Sequence, residues 1–191
     1  MGKISVLPAI VTIDDLDVFP VVDVSDGITK KMTFGQMHTA QMFPYLMQSD
    51  TTDQAIVNPA NAQLITFDTD IYHQDITRTS SSRFTIVDAA AYLITFSGLA
   101  QSAVAGKIIG FWLKVSGTDV VGSLTNYTFK STGATAVIAA SFIQVFTAGQ
   151  YLEFWTWGDD SGCKWDATAA AGSPTRPACP SIIITVNKIS A

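Results

Sequence analysis

The chain has 191 residues, 48% hydrophobic and only 14% charged, with a net charge of −5. At that length it hides roughly two thirds of its unfolded surface, so folding requires neither a disulfide nor a metal. No basic stretch exists beyond Lys30-Lys31, which speaks against nucleic acid as a partner, and no apolar run is long enough to span a membrane as a helix. Met1-Gly2-Lys3-Ile4-Ser5 lacks a secretory apolar segment, and Val6 stands where a myristoylation signal has Ser or Thr, so neither secretion by that route nor lipidation is expected. A soluble domain usually carries about 25% charged residues. The shortfall makes oligomerisation the first expectation, with an unusually large core as the alternative.

Along residues 1–35, short apolar runs alternate with acids. Val18-Phe19-Pro20-Val21-Val22-Asp23-Val24 predicts a strand that Pro20 confines to a sheet edge. Ser25-Asp26-Gly27 supplies a turn, and Lys30-Lys31-Met32-Thr33-Phe34 returns as the partner strand. Such a hairpin is too small to be stable alone and must dock on something. Val18, Phe19, Val21, Val22, Lys30, Lys31 and Phe34 are therefore the expected anchoring residues of an N-terminal arm, 1–47. Within it, Met37, Met42, Phe43, Leu46 and Met47 predict a short helix over 36–47, limited by Pro44. The polar stretch that follows, 48–62, reads as a linker.

From Leu64 onward the pattern is β. Strands are predicted at 64–69, 83–87, 92–98, 107–115, 126–130, 136–146, 150–157 and 181–188, rich in Ile, Val, Thr and aromatic residues. Turn signals at Ser116-Gly117-Thr118-Asp119, Ser131-Thr132-Gly133, Ala148-Gly149 and Asp160-Ser161-Gly162 separate them. The expected fold is all-β: an antiparallel jelly-roll sandwich over 63–191, preceded by the hairpin arm and short helix. The strand 150–157 carries Tyr151, Leu152, Phe154, Trp155 and Trp157 and has almost no polar face, so both faces must be covered. One cover is the sandwich core and the other a neighbouring subunit. Tyr151, Phe154, Trp155 and Trp157 are the candidate packing residues.

Signatures of catalysis are missing. The two histidines, His38 and His73, form no legible triad, although Asp70 and Asp75 flank His73. Cys163 and Cys179 fit no zinc motif and read either as a local disulfide or, preferably, as two buried thiols. Asp159-Asp160 with Asp166 lacks calcium-loop spacing. Trp165, placed in a loop with Asp159 and Asp160, is the candidate ligand contact, since loop tryptophans stack on sugars. Arg176, between Pro174 and Pro177, suits an interchain ion pair or an anion. No catalytic residue, metal or cofactor is expected.

Ile65-Thr66-Phe67-Asp68, Tyr72, Ser82-Arg83-Phe84-Thr85-Ile86 and Ala91-Tyr92-Leu93-Ile94-Thr95-Phe96 resemble the opening strands of the complement globular head and tumour-necrosis-factor-like fold. The likeness continues through Phe111-Trp112-Leu113-Lys114-Val115 and Phe146-Thr147-Ala148-Gly149-Gln150-Tyr151-Leu152. Ala90 and Ala91 replace a usual glycine, and Gln150 a usual acid. The closing segment, from Ser173-Pro174-Thr175-Arg176-Pro177 to Ile184-Thr185-Val186, is similar instead to jelly rolls of tailed-bacteriophage virion proteins. So are Leu7-Pro8-Ala9, Asp15, Val21-Val22-Asp23, Gly27 and Thr29-Lys30-Lys31-Met32-Thr33, which resemble their lead-in segments. The resemblance implies a homotrimer on the virion surface, made in the host cytoplasm, with phage capsid or tail proteins as partners. It implies a structural role as a capsid decoration, or cement, protein anchored by its arm. The alternatives are a short tail or head fibre, an adhesin that binds host-surface glycan, and a soluble head-type ligand for another protein. An enzyme ranks last.

Overall fold

A computed structural model describes residues 18–23, 28–33 and 43–189, which belong to two units, Met1–Met42 and Phe43–Ala191. In the first unit β1 (Val18–Asp23) and β2 (Ile28–Thr33) pair antiparallel, with Val18 opposite Thr33 and Asp23 opposite Ile28. This is the expected ribbon. Pro20, opposite Lys31, costs little in a pair whose strands are both edges. The predicted turn at 25–27, the anchor residue Phe34 and the predicted helical residues 36–42 lie outside the described residues.

The second unit runs β3 (Tyr45–Asp50), β4 (Gln54–Ala55), β5 (Gln63–Leu64), β6 (Thr69–Gln74), β7 (Ile76–Arg78), β8 (Arg83–Ile86), β9 (Ala90–Ser102) and β10 (Ile108–Val115). It continues through β11 (Thr118–Asp119), β12 (Thr125–Thr128), β13 (Ala134–Phe146), β14 (Tyr151–Gly158), β15 (Cys163–Trp165), β16 (Ala171–Gly172), β17 (Thr175–Arg176) and β18 (Ile182–Lys188). One sheet has the order β4-β15-β9-β18-β3-β6, with β13 along the other edge of β9. The facing sheet has the order β11-β10-β14-β8-β7, with β12 on β10 and β5 on β14. All of these pairings are antiparallel, and sequence neighbours repeatedly lie in opposite sheets, as in a jelly roll.

Alternation builds the core. In β9, Tyr92, Ile94, Phe96 and Ala100 point inward, while β10 supplies Ile109, Phe111 and Leu113, and β14 supplies Leu152 and Phe154. The Phe96 and Phe111 rings stack with centroids 3.7 Å apart. Phe67 meets Phe84 and Phe154 edge-on at 5.2 and 5.8 Å. Aromatic pairs in these geometries add to the stabilisation from buried area.

Two sequence expectations fail between residues 43 and 62. The helix predicted through Met47 gives way at Tyr45 to β3, which hydrogen-bonds to β18 on one side and β6 on the other. The linker predicted from residue 48 begins inside that same strand, so the jelly roll starts near Phe43 rather than at residue 63. The polarity that suggested a linker is internally satisfied. Gln48 is fully buried, donating to Asp70 at 2.5 Å and accepting from Arg78 at 3.0 Å. Asp50 accepts from the Thr52 amide and hydroxyl at 2.8 and 2.7 Å. Buried polar groups are tolerated when paired in this way.

The predicted strand at 64–69 crosses between the sheets. Ile65 donates to the Phe154 carbonyl, Phe67 to that of Ser81 and Asp68 to that of Ser49, and this path buries Ile65 and Phe67. The two cysteines are both free, Cys163 buried and Cys179 exposed, so neither a disulfide nor a pair of buried thiols is found.

Candidate functional site

The longest strand pairing in the molecule joins β13 to β9 in register from Ala134↔Ser102 to Phe146↔Ala90. It sets the outward residues in cross-strand pairs: Val137 with Leu99, Ala139 with Ser97, Ser141 with Thr95, Ile143 with Leu93 and Val145 with Ala91. The next strand, β18, continues this face with Ile183, Thr185 and Asn187, and β3 with Met47 and Tyr45, while Ser49 beyond them is buried. None of these outward positions is Asp, Glu, Lys or Arg. Val137, Ile143 and Val145 are each about two-thirds exposed, at 68%, 68% and 67%. A shallow concavity of about 470 Å³ lies at the centre, lined by Ser97, Ala139, Ser141, Ile183 and Thr185. The Thr95 and Thr185 hydroxyls are hydrogen-bonded to each other there. An uncharged patch of this continuity, with the exposed apolar residues Val137, Ile143 and Val145 along one side, is a mark of an interaction site. The long β13 also has no strand partner on its outer edge among the described residues.

The sequence directed attention to the other sheet. In β14, Phe154 is fully buried, whereas Tyr151, Trp155 and Trp157 lie on the outer face and are half-buried. Much of their cover comes from the same chain. The Arg83 guanidinium sits 3.9 Å from the Tyr151 ring centroid, and the Lys114 ammonium 4.4 Å from that of Trp155. Both cations lie within cation–π range, and their stems shield the rings from water. Trp112 stacks beside Trp155 at 6.5 Å. Trp157 donates its indole N–H to the Pro59 carbonyl at 2.9 Å. The apolar outer face of this strand is thus largely satisfied within one chain.

The expected ligand loop at 159–165 is a folded turn. Trp165 is fully buried and donates to the Thr156 hydroxyl at 3.0 Å, with its ring edge-on to Phe96 at 5.2 Å. It cannot stack on a ligand. The apolar–polar–apolar pattern of Cys163-Lys164-Trp165 was the available signal of a short strand with both ends inward. Asp159 accepts from the Ile108 amide at 2.8 Å and Asp160 from the Gly162 amide at 2.7 Å. The Gly162 amide, with Lys107 nearby, holds the Asp160 carboxyl below the usual carboxylate range. Both acids organise the turn.

His73 lies on exposed β6 beside Asp70 at 3.0 Å, and Arg176 is exposed on β17. Among the described residues no group of three or more His, Cys, Asp or Glu is placed to hold a metal ion. The anchoring residues Val18, Phe19, Val21 and Val22 fall on β1, and Lys30 and Lys31 on β2.

No family model matches the chain, and no curated protein matches it. Among solved structures it is similar to the globular domain of zebrafish complement 1qA protein, with 16% identity over 77% of this chain and 96% of that one, at a TM-score of 0.45. It is also similar to murine APRIL at pH 5.0, with 6% identity over 78% of this chain and 100% of that one, at a TM-score of 0.51. At such identities the likeness speaks to architecture alone: the chain shares the jelly-roll fold of murine APRIL.

Proposed function

We propose that this chain is a non-enzymatic structural protein that assembles as a homotrimer through the outer face of the β3–β18–β9–β13 sheet. In this reading it decorates a tailed-bacteriophage capsid as a cement protein, anchored by the N-terminal arm. The observation that carries the reading is the charge-free face itself. Every outward position on four adjacent strands is uncharged, whereas the outer face of the facing sheet carries Arg83, Lys114, Asp119 and Glu153. Another copy of the chain meets such a surface without stranding a charge, and in a closed three-fold ring each copy sets part of this face against a neighbour. The virion assignment is supported by the sequence likeness of 173–186 and of the lead-in segment to phage jelly rolls. Cement proteins stabilise a shell by binding its assembled state, a task that needs interface rather than a catalytic constellation.

Sedimentation of the full chain tests the assembly, with three times 20.4 kDa as the expected mass. A stable monomer at micromolar concentration overturns it. Particles lacking the protein test the role: earlier rupture on heating or osmotic shock, with host binding intact, is expected. Normal rupture resistance with lost host binding replaces the cement role with that of an adhesin.

A further inference from the structure

A cleft of about 390 Å³ opens on the outer face of the other sheet, lined by Trp112, Trp157, Asp119, Val120, Leu124 and Ala62. That volume falls in the range of small-ligand sites, ~300–1,000 Å³. The register explains why the cleft exists. Gly110 lies between Trp157 on β14 and Asn126 on β12, so no side chain rises between the two indoles from β10. The Asn126 amide oxygen occupies the space that a Cβ at Gly110 would take.

Both indoles are fixed through their N–H groups. Trp112 donates to Asp119 Oδ1 at 2.7 Å, and Trp157 donates to the Pro59 carbonyl at 2.9 Å. What remains for a ligand is ring surface. Lys114 Nζ lies 3.3 Å from the same Asp119 Oδ1, so the charge of the carboxylate is compensated in place. Its Oδ2 has no partner among the described residues, and the Asp119 side chain is 66% exposed. The cleft therefore combines fixed aromatic surface, one aimed acceptor and no net charge.

We propose that this cleft binds one pyranose ring of an uncharged glycan. The apolar C–H face of the sugar lies on Trp112 and Trp157, and a ring hydroxyl donates to Asp119 Oδ2. A phosphate or carboxylate ligand brings only acceptors to Asp119 Oδ2, which itself only accepts. A quaternary ammonium gains nothing from a carboxylate already paired with Lys114. A sugar offers in one small body the apolar face and hydroxyl donors that the cleft requires. The site is separate from the assembly face, because it lies on the opposite sheet.

The test titrates the full chain with glucose, galactose, mannose, rhamnose, N-acetylglucosamine and N-acetylgalactosamine, and with choline chloride. Tryptophan fluorescence and saturation-transfer NMR provide the readouts. Saturable binding of at least one sugar is expected. Asp119→Asn weakens it about tenfold, the effect of removing a charged hydrogen-bond acceptor. Leu124→Asp, at an exposed position, abolishes it while leaving the melting temperature unchanged. No saturable response to any sugar overturns the proposal, as does binding unaltered in both variants. Choline binding more tightly than every sugar overturns the assignment to an uncharged ligand.

Discussion

Arg83 and Glu153 face each other across β8 and β14, and the guanidinium donates twice to one carboxylate oxygen, from Nη2 at 2.8 Å and Nε at 3.1 Å. Glu153 is almost fully buried, and its second oxygen accepts from the Trp155 indole at 3.4 Å. The guanidinium also caps the Tyr151 ring. One arginine thus neutralises a buried acid and shields an aromatic residue that would otherwise face water.

Arg83→Met is accordingly expected to lower the melting temperature by about 3–6 °C. Methionine keeps an apolar stem over Tyr151 but leaves the Glu153 carboxylate buried without its cation. Adding Glu153→Gln should recover part of the loss, and thermal unfolding of the two single variants and the double variant measures the coupling. A loss under about 1 °C for Arg83→Met, with no coupling, is incompatible with this account.

Gly98 gives a sharper test of core packing. A Cβ there would stand 2.5 Å from Cζ3 and 2.6 Å from Cε3 of the buried Trp165 ring. Because Trp165 is held by Thr156 and wedged against Phe96, it has little room to retreat. Gly98→Ala is expected to cost about 1–3 kcal/mol from overpacking. Phe154→Ala, which opens a cavity between Phe67 and Phe96, is expected to cost about 3–5 kcal/mol. Urea denaturation reads both. A neutral Gly98→Ala with an unshifted tryptophan spectrum would place Trp165 elsewhere.

Acid stability should depend on Asp53. Its carboxylate binds the Lys164 ammonium at 2.6 Å and the Ala167 amide at 2.8 Å. These bonds hold its pKa below the usual carboxylate range, the Lys164 hydrogen bond first. A depressed folded-state pKa stabilises the fold above the unfolded value, about pH 4, and that contribution is lost as pH falls through the folded value. Lys164 is shifted upward by Asp166 and Asp53, so its contribution is complete below its unfolded pKa and is lost only in strong alkali. Asp53→Asn should lower stability at pH 7 and flatten the melting-temperature profile below about pH 4. An identical acid limb in the variant and the parent would remove Asp53 from that role.

The part of the fold legible in the sequence was the part written in period two. Tyr92-Leu93-Ile94-Thr95-Phe96 alternates, and β9 alternates with it; β14 was legible instead as a short apolar run between turn signals. What could not be read was polarity with a hidden partner. Gln48-Ser49-Asp50 resembles a linker until Asp70, Arg78 and Thr52, up to 30 residues away, come into reach. Trp165 looked like a loop residue because the apolar–polar–apolar pattern of Cys163-Lys164-Trp165 is only three residues long and follows directly on the Asp160-Ser161-Gly162 turn. The double-faced apolar strand suggested a subunit contact, but Arg83 and Lys114 cover much of it from positions the sequence does not connect to it. The charge-free face of β13 was missed for a related reason. Its outward residues are small or β-branched and scattered among alanines, so only the pairing with β9 and β18 assembles them into a patch.

That patch supports the most decisive prediction. Ile143 is 68% exposed and sits opposite Leu93 on the edge strand of the uncharged face. In a monomer, Ile143→Asp places a carboxylate in water and should leave the fold intact. In a trimer built on this face it buries a charge near each copy of itself, and both desolvation and like-charge repulsion oppose assembly. The dissociation constant should rise on the order of a hundredfold, read by sedimentation across a concentration series, with an unchanged β-sheet circular dichroism spectrum. Val121→Asp is the matched control, since Val121 is 99% exposed and lies outside the patch. If both variants sediment like the parent, self-association does not use this face. If Val121→Asp dissociates the assembly and Ile143→Asp does not, the interface lies on the opposite sheet, near the tryptophan cleft.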